Sequence, residues 1–378
     1  MRFKPFHECE HDDAKEITLE VAEACISGPY YIDLSVYTSI TDEAADLLSK
    51  AEMSLSLRGL ETLSDVSAES FSRYVGHLDL NGLKEISDVS AACLARHRGE
   101  LYLSRLAHLS DAAAESFSRH LGSLSLGGLT HLSDAAAASL SRNRGDLALG
   151  RLTHLSDASA DFLSQVRGGL YMDGLTELPA SVAKALSRHK GYLSFMSLRY
   201  ICDEAAEALG GHEGWLSMIN LEALSDSAAA SFARHRGPLG LQSVARISDA
   251  AADSLSANDG ELLLDSLETL TDAAAVSFSR HVGRISLDGV RNISDAAAEA
   301  LSRHEGDLWL NGLSSLTDAA AASLSRHRGM LLLLGLHSLS DSAAAELTRH
   351  DGRLVISEEA YMSDWASLLI EAHRRGLG

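Results

Sequence analysis

The sequence predicts an α/β solenoid, in which a strand and a short helix alternate and successive units stack into a horseshoe with a parallel sheet inside and helices outside. Three observations predict it. An Asp recurs at Asp42, Asp65, Asp88, Asp111, Asp134 and Asp157, then at Asp203, Asp226, Asp249, Asp272, Asp295, Asp318, Asp341 and Asp364. Every interval is 23 residues or a multiple of it, and Ala180 occupies the one beat that is not Asp. Glycine stands eleven residues after the beat at thirteen consecutive positions from Gly76 to Gly352. Between these marks the chain passes from a period-two apolar pattern to a helical one. A unit this short cannot bury its apolar side alone, so neighbours must stack.

The elements follow in order. Residues 1–29 read as an N-terminal cap, with a helix from about Asp13 to Ile26 whose Val21, Ala22 and Cys25 are apolar. The opening MRFKPFHECEHDD lacks the apolar h-region of a secretory signal. If extended, it sets His7, Cys9 and His11 on one face, a metal-like trio that reads more simply as a polar lead-in, so no metal or cofactor is expected. Residues 30–363 form the array. In each unit Leu78 and Leu80, or their equivalents, alternate as a half-buried strand, and Asp is expected to cap the following helix. Ala114 with Phe117, and Ala298 with Leu301, share the buried helical face. Glycine is expected to end the helix at a C′ position. Parallel strands repeat at about 4.8 Å and helices at roughly 8–10 Å, so the array is expected to curve with its sheet inside. Residues 364–378 read as a C-terminal capping helix with Trp365, Leu368, Leu369 and Ala372 on one side.

The unit LxLxGLxxLSDAAAxxLSRHxG resembles a leucine-rich repeat, and its ISD and LTD triplets are similar to the cysteine-containing subtype known from F-box-associated and bacterial proteins. The resemblance covers residues 30 to 364. It departs from the usual signature at Leu83, Leu129, Val290 and Leu313, near where Asn or Cys would stand, so no asparagine ladder is expected there. The residues before the array are too few for an F-box domain. The resemblance implies recognition of another protein on the concave sheet, and it brings no catalytic residues.

Composition narrows the function classes. Hydrophobic residues make up 46% and aromatics 5%, so the core must be aliphatic. No stretch approaches the roughly 18 apolar residues of a membrane helix, so no membrane partner is expected. Cys9, Cys25, Cys93 and Cys202 lie far apart with no CxxC spacing, which argues against disulfides and zinc and for a reducing, cytoplasmic setting. The formal charge is −21; setting aside the fourteen periodic aspartates leaves 39 acids against 32 bases, or −7. The fold thus accounts for two thirds of the acidity, and the balance argues against a nucleic-acid partner.

Residue types that suggest chemistry turn out to be periodic. Ser110 to His120 reads SDAAAESFSRH, which holds a Ser-Asp-His set, but the same words recur along the chain. An Arg-His pair follows the beat at Arg96-His97, Arg119-His120, Arg188-His189, Arg234-His235, Arg280-His281, Arg303-His304, Arg326-His327 and Arg349-His350. These pairs read as cations complementing the last helical turn. Rungs 8–10 Å apart would be too far apart for zinc, whose nitrogens lie near 2.1 Å from one centre. GxSxG, GxGxxG, P-loop and HExxH motifs are all missing, so no enzyme is expected.

Function is therefore sought where the units differ. Outward strand positions fall twelve, fourteen and sixteen after the beat, and most hold small or polar residues. Tyr171, Tyr192, Met196, Trp215 and Ile219 gather in three successive units, while Met330, Leu332 and Leu334 lie beside Trp309 and Val355. Asp173, Asp265 and Asp288 add an acidic rim. Exposed aromatic and apolar clusters of this kind mark binding surfaces. The middle cluster coincides with lapses in the pattern at Pro179-Ala180, Cys202 and Gly210-Gly211, which stand for a hinge, a specialised surface or drift. The sequence thus predicts a protein–protein interaction module; a structural scaffold or self-associating spacer is the first alternative, and an enzyme the second.

Overall fold

Outside the two units that start at Pro179 and Cys202, each helix of the array begins at a Ser or Thr, one residue before the periodic Asp. Ser110 has extended backbone angles (φ −70°, ψ 156°), and its Oγ accepts the Ala113 N–H at 3.0 Å, which starts the helix Asp111–Phe117. The expected Asp cap is thus corrected by one residue. Asp111 occupies the first helical position, where its charge suits the positive end of the dipole, and its carboxylate accepts the Ser133 hydroxyl of the next unit at 2.5 Å. Ser133 in turn accepts the Ala136 N–H at 2.9 Å. One hydroxyl therefore caps its own helix and ties that helix to the preceding unit. The same double bond recurs at Ser156 with Asp134 and at Ser225 with Asp203.

A computed structural model of the chain describes residues 15–27, 31–51 and 54–374. The expected trio His7, Cys9 and His11 lies outside them. The chain divides into two compact units, the first ending at Met172 and the second beginning at Asp173. Among the described residues, the first unit holds a parallel sheet running in chain order from Tyr31–Asp33 through Ser54–Ser56 and Leu78–Asp79 to Leu170–Tyr171. Its first helix, Leu19–Ile26, is capped by Thr18 and stacks on Asp42–Leu48; the strand Glu16–Ile17 before it pairs with Ser39–Ile40. The second unit holds a parallel sheet from Leu193–Ser194 to Leu354–Ile356, again in chain order. Pairing follows the 23-residue period throughout, as in Leu78 with Leu101 and Leu308 with Leu331. No helix among the described residues is long and apolar enough to cross a membrane.

The core of one unit comprises seven positions. Around Asp111 these are Ala113, Ala114 and Phe117 of the helix, His120 of the turn, and Leu124, Leu126 and Leu129 of the strand and its exit. All are buried, so the expected pairing of Ala114 with Phe117 holds, as does the inward alternation of leucines. A fully buried leucine contributes about 1.5–3 kcal/mol.

His120 was expected at the surface as a cation, and it is fully buried instead. The helices end six residues after the beat, the next residue being a right-handed C-cap such as Ser118, and the imidazole lies in the turn that follows. Histidines one period apart stack face to face: His97 on His120 at 6.3 Å, His189 on His212 at 6.2 Å, His212 on His235 at 5.6 Å. A further run joins His281, His304, His327 and His350 at 5.9–6.0 Å. The rungs are thus closer than the expected 8–10 Å, because they occupy the turn and not the helices.

The periodic glycine has a different duty from the expected helix stop. A Cβ on Gly122 would lie 2.1 Å from the Gly99 carbonyl oxygen and 3.1 Å from His120 Nε2, so close stacking of turns on the histidine ladder excludes a side chain. Among the described glycines, Gly76 (146°) and Gly237 (133°) have positive φ.

The irregular units keep the same frame. Helices Ala180–Leu186 and Asp203–Leu209 retain seven residues although Pro179 and Cys202 make no side-chain cap. Gly210 ends the second with ordinary helical angles, and a Cβ there would meet the Ser231 carbonyl oxygen at 2.3 Å. The final helix, Asp364–Arg374, buries Ala366 and Ile370, whereas Trp365 and Leu368 are 51% and 69% exposed. The side expected to face the array through Trp365 and Leu368 is therefore turned outward.

Candidate functional site

Outward strand residues form three rows on the sheet face opposite the helices. In the second unit the first row runs from Tyr192 and Trp215 through Glu261 and Arg284 to Met330. The middle row runs through Ser194, Ser217, Leu263, Ser286, Trp309, Leu332 and Val355. The third runs from Met196 and Ile219 through Asp265 and Asp288 to Leu334.

The expected middle cluster divides across these rows. Tyr192 and Trp215 meet with ring centroids 5.8 Å apart and planes tilted by 47°, an attractive aromatic geometry. Met196, 38% exposed, and Ile219 lie on the other side of the buried Ser194 and Ser217. Beside Met196 opens a cleft of ≈ 470 Å³ lined by Thr176, Ser197, Arg199, Asn220, Glu222 and Ser243. Asn220 Nδ2 donates to the Met196 carbonyl at 2.7 Å, and Glu222 takes an ion pair from Arg199 and a 2.7 Å bond from Tyr200 OH. Tyr171 is a half-buried middle-row residue of the first unit.

The later apolar residues do converge. Trp309, Leu332 and Val355 are in register on adjacent strands, with Leu334 48% exposed beside them. Met330, in the first row, donates its N–H to Asp307 at 2.9 Å.

A polar cluster also lies here, and its members come from separate units. Arg284 pairs with Glu261 and lies 4.4 Å over the Trp309 ring. Asp265 accepts the Ser286 hydroxyl at 2.5 Å, and Asp288 accepts both the N–H and Nδ2 of Asn311, at 3.0 and 3.1 Å. Burial raises the Asp265 pKa, and the Asp288 charge adds to the effect. Asp173, the other acid expected at the rim, accepts Ser194 Oγ at 2.6 Å and Met196 N–H at 3.3 Å. Reading each unit by itself missed this cluster; the signal was the 23-residue spacing of Glu261 to Arg284 and of Asp265 to Asp288. No group of three or more potential metal ligands occurs among the described residues.

No protein-family model matches the chain, and no curated protein does. Solved structures do. The mouse RP105/MD-1 complex is similar over 88% of this chain and 64% of that one, at 17% identity and a TM-score of 0.53. The Drosophila Toll–Spatzle complex is similar over 92% of this chain and 53% of that one, at 11% identity and a TM-score of 0.50. Both are leucine-rich-repeat structures. The fold of this chain is the leucine-rich-repeat solenoid. The chain spans less than two thirds of each of those chains, and at these identities the likeness is one of fold. In this leucine-rich-repeat array, asparagines of the third row link neighbouring strands: Asn81 Oδ1 accepts the Ser104 N–H at 2.8 Å, and Asn311 Oδ1 accepts the Leu334 N–H at 3.1 Å.

Proposed function

We propose that the chain is a protein-recognition module that engages its partner on the open face of the sheet. The observation that carries this reading is the Tyr192–Trp215 pair: two half-buried aromatic rings in contact beside the small Ser194 and Ser217 of the middle row. Tyr and Trp add large contact area at little entropic cost and dominate interface energies. Trp309 with Leu332 and Leu334 forms a second anchor. Support also comes from the two solved neighbours, each of which is a complex, of RP105 with MD-1 and of Toll with Spatzle. The reading is non-enzymatic. It includes no nucleic-acid partner, because the residual charge is acidic, and it includes a cytoplasmic setting, because Cys25, Cys93 and Cys202 are free thiols.

A second reading, self-association, rests on the outward Trp365 and Leu368 of the final helix. Affinity capture from nuclease-treated native lysate separates these readings. Wild-type protein is expected to retain a specific protein that Trp215→Ala or Trp309→Ala loses, a truncation costing about 2 kcal/mol or more at an anchor. An unchanged captured set in both variants overturns the open-face reading, and a monomer by light scattering removes self-association.

A further inference from the structure

The Arg284–Trp309 region carries chemistry that the aromatic anchors leave unused. Leu263, Ser286, Trp309, Leu332 and Val355 form one continuous row over five strands. Four acids flank its start, Glu261, Asp265, Asp288 and Asp307, against Arg284 there and Arg353 at the far end of the row. Glu261 takes Arg284, whose side chain is only 25% exposed. Asp265, Asp288 and Asp307 have no ion pair among the described residues; each accepts hydrogen bonds from neutral Ser, Asn or backbone donors. Next to them the row turns apolar at Trp309, Leu332 and Leu334. Two donors, Arg284 Nε and Trp309 Nε1, and one acceptor, Gln242 Oε1, lie buried without a partner.

We propose that this surface binds an extended polypeptide segment in which a stretch carrying Lys or Arg side chains adjoins an apolar stretch. The proposal rests on the open-face reading and names the class of partner. Three unpaired carboxylates complement ammonium or guanidinium groups and repel anions, while Trp309, Leu332 and Leu334 take the apolar side chains. Arg284 stays with Glu261 and Trp309 and holds the indole in place.

The row from Leu263 to Val355 spans four strand spacings, about 19 Å, or roughly six extended residues. The test titrates the full chain, by calorimetry, with a synthetic peptide of about ten residues whose one half is rich in Lys and the other in Leu, and with its Glu–Leu counterpart. The Lys–Leu peptide is expected to bind and the Glu–Leu peptide not to. Asp265→Asn with Asp288→Asn keeps an acceptor for the Ser286 hydroxyl and for the Asn311 N–H, gives up the Asn311 Nδ2 bond, and is expected to weaken binding about tenfold. Glu204→Gln with Glu207→Gln, on the exposed side of helix Asp203–Leu209, changes the net charge equally and is expected to leave binding within about twofold. Thermal melts establish that both double variants are folded. Equal weakening by both pairs, no weakening by the first, or binding of the Glu–Leu peptide overturns the proposal. If that happens while Trp215→Ala still abolishes capture of the native partner, the recognition module stands and only the class of ligand falls.

Discussion

His304 shows how a residue's role depends on its row. Its ring is fully buried between His281 and His327, and burial holds its pKa below the ordinary value, with the charge of His327 adding to the effect. The sequence displayed the periodic Arg-His pair, and the cation reading fitted the arginine but failed for the histidine. Other occupants of the same row carried the missed signal: Tyr74, Asn143, Val166 and Asn258 are all uncharged. Asn258 does the same structural work, donating Nδ2 to the His235 carbonyl at 2.8 Å and accepting the Gly260 N–H at 2.9 Å. His304→Asn is therefore expected to cost no more than about 1 kcal/mol, while His304→Lys, which buries an unpaired charge, costs about 3 kcal/mol or more. Urea unfolding measures both. Similar losses for the two would mean that the row tolerates charge and is not a dry spine.

At the scale of the element, a seven-residue helix is too short to stand alone, so its ends and its stacking must supply the stability. The sequence made the helices legible through the alanine run and the 23-residue ruler. It pointed to Asp as the cap, one residue too late, because Ser and Asp are adjacent and both cap well. Structure resolves the division of labour: the hydroxyl caps, and the carboxylate receives the next unit's hydroxyl. That division explains the lapses as a matched loss. Ala180 offers no carboxylate, and Cys202, which stands where the hydroxyl would reach it, makes no cap bond. Cys202→Ser is expected to add an N-cap worth about 1 kcal/mol, and Ala180→Asp a smaller dipole gain. Together they restore the inter-unit bond, so the double variant should exceed the sum of the singles by about 0.5–1 kcal/mol. A double-mutant cycle by thermal or urea unfolding checks this, and strict additivity would show that the ladder bond contributes nothing.

Across the whole molecule, the repeat architecture was legible because one spacing error would have destroyed the ruler, and none occurs in fifteen beats. The candidate site was less so, because its residues become neighbours only across units: Glu261 meets Arg284, and Arg284 meets Trp309. The histidine row likewise acts as a set, and it gives the chain a pH dependence. Burial is the first cause of each depressed histidine pKa, and for His212, flanked by His235 and His189, the value falls from 6.5 to about 4. Above pH 6.5 neither folded nor unfolded chain protonates these rings, so the stability is complete. As pH falls from about 6.5 toward 4, the unfolded chain takes up protons that the folded rows refuse, and stability is lost. For His212 alone the loss is on the order of 3 kcal/mol. Asp265 acts in the opposite sense, because its raised pKa lets the folded state bind a proton first. Seven of the nine stacked histidines, His189, His212, His235, His281, His304, His327 and His350, belong to the second compact unit, and only His97 and His120 to the first. Stability in a solenoid is local, so acid should open the second unit before the first. Hydrogen exchange at pH 7 and pH 5, corrected for the intrinsic rate, is expected to show protection falling around His281 to His350 while Asp134 to Met172, where Asn143 and Val166 occupy the histidine row, holds. Equal loss in both segments would mean that the histidine rows do not govern the acid response.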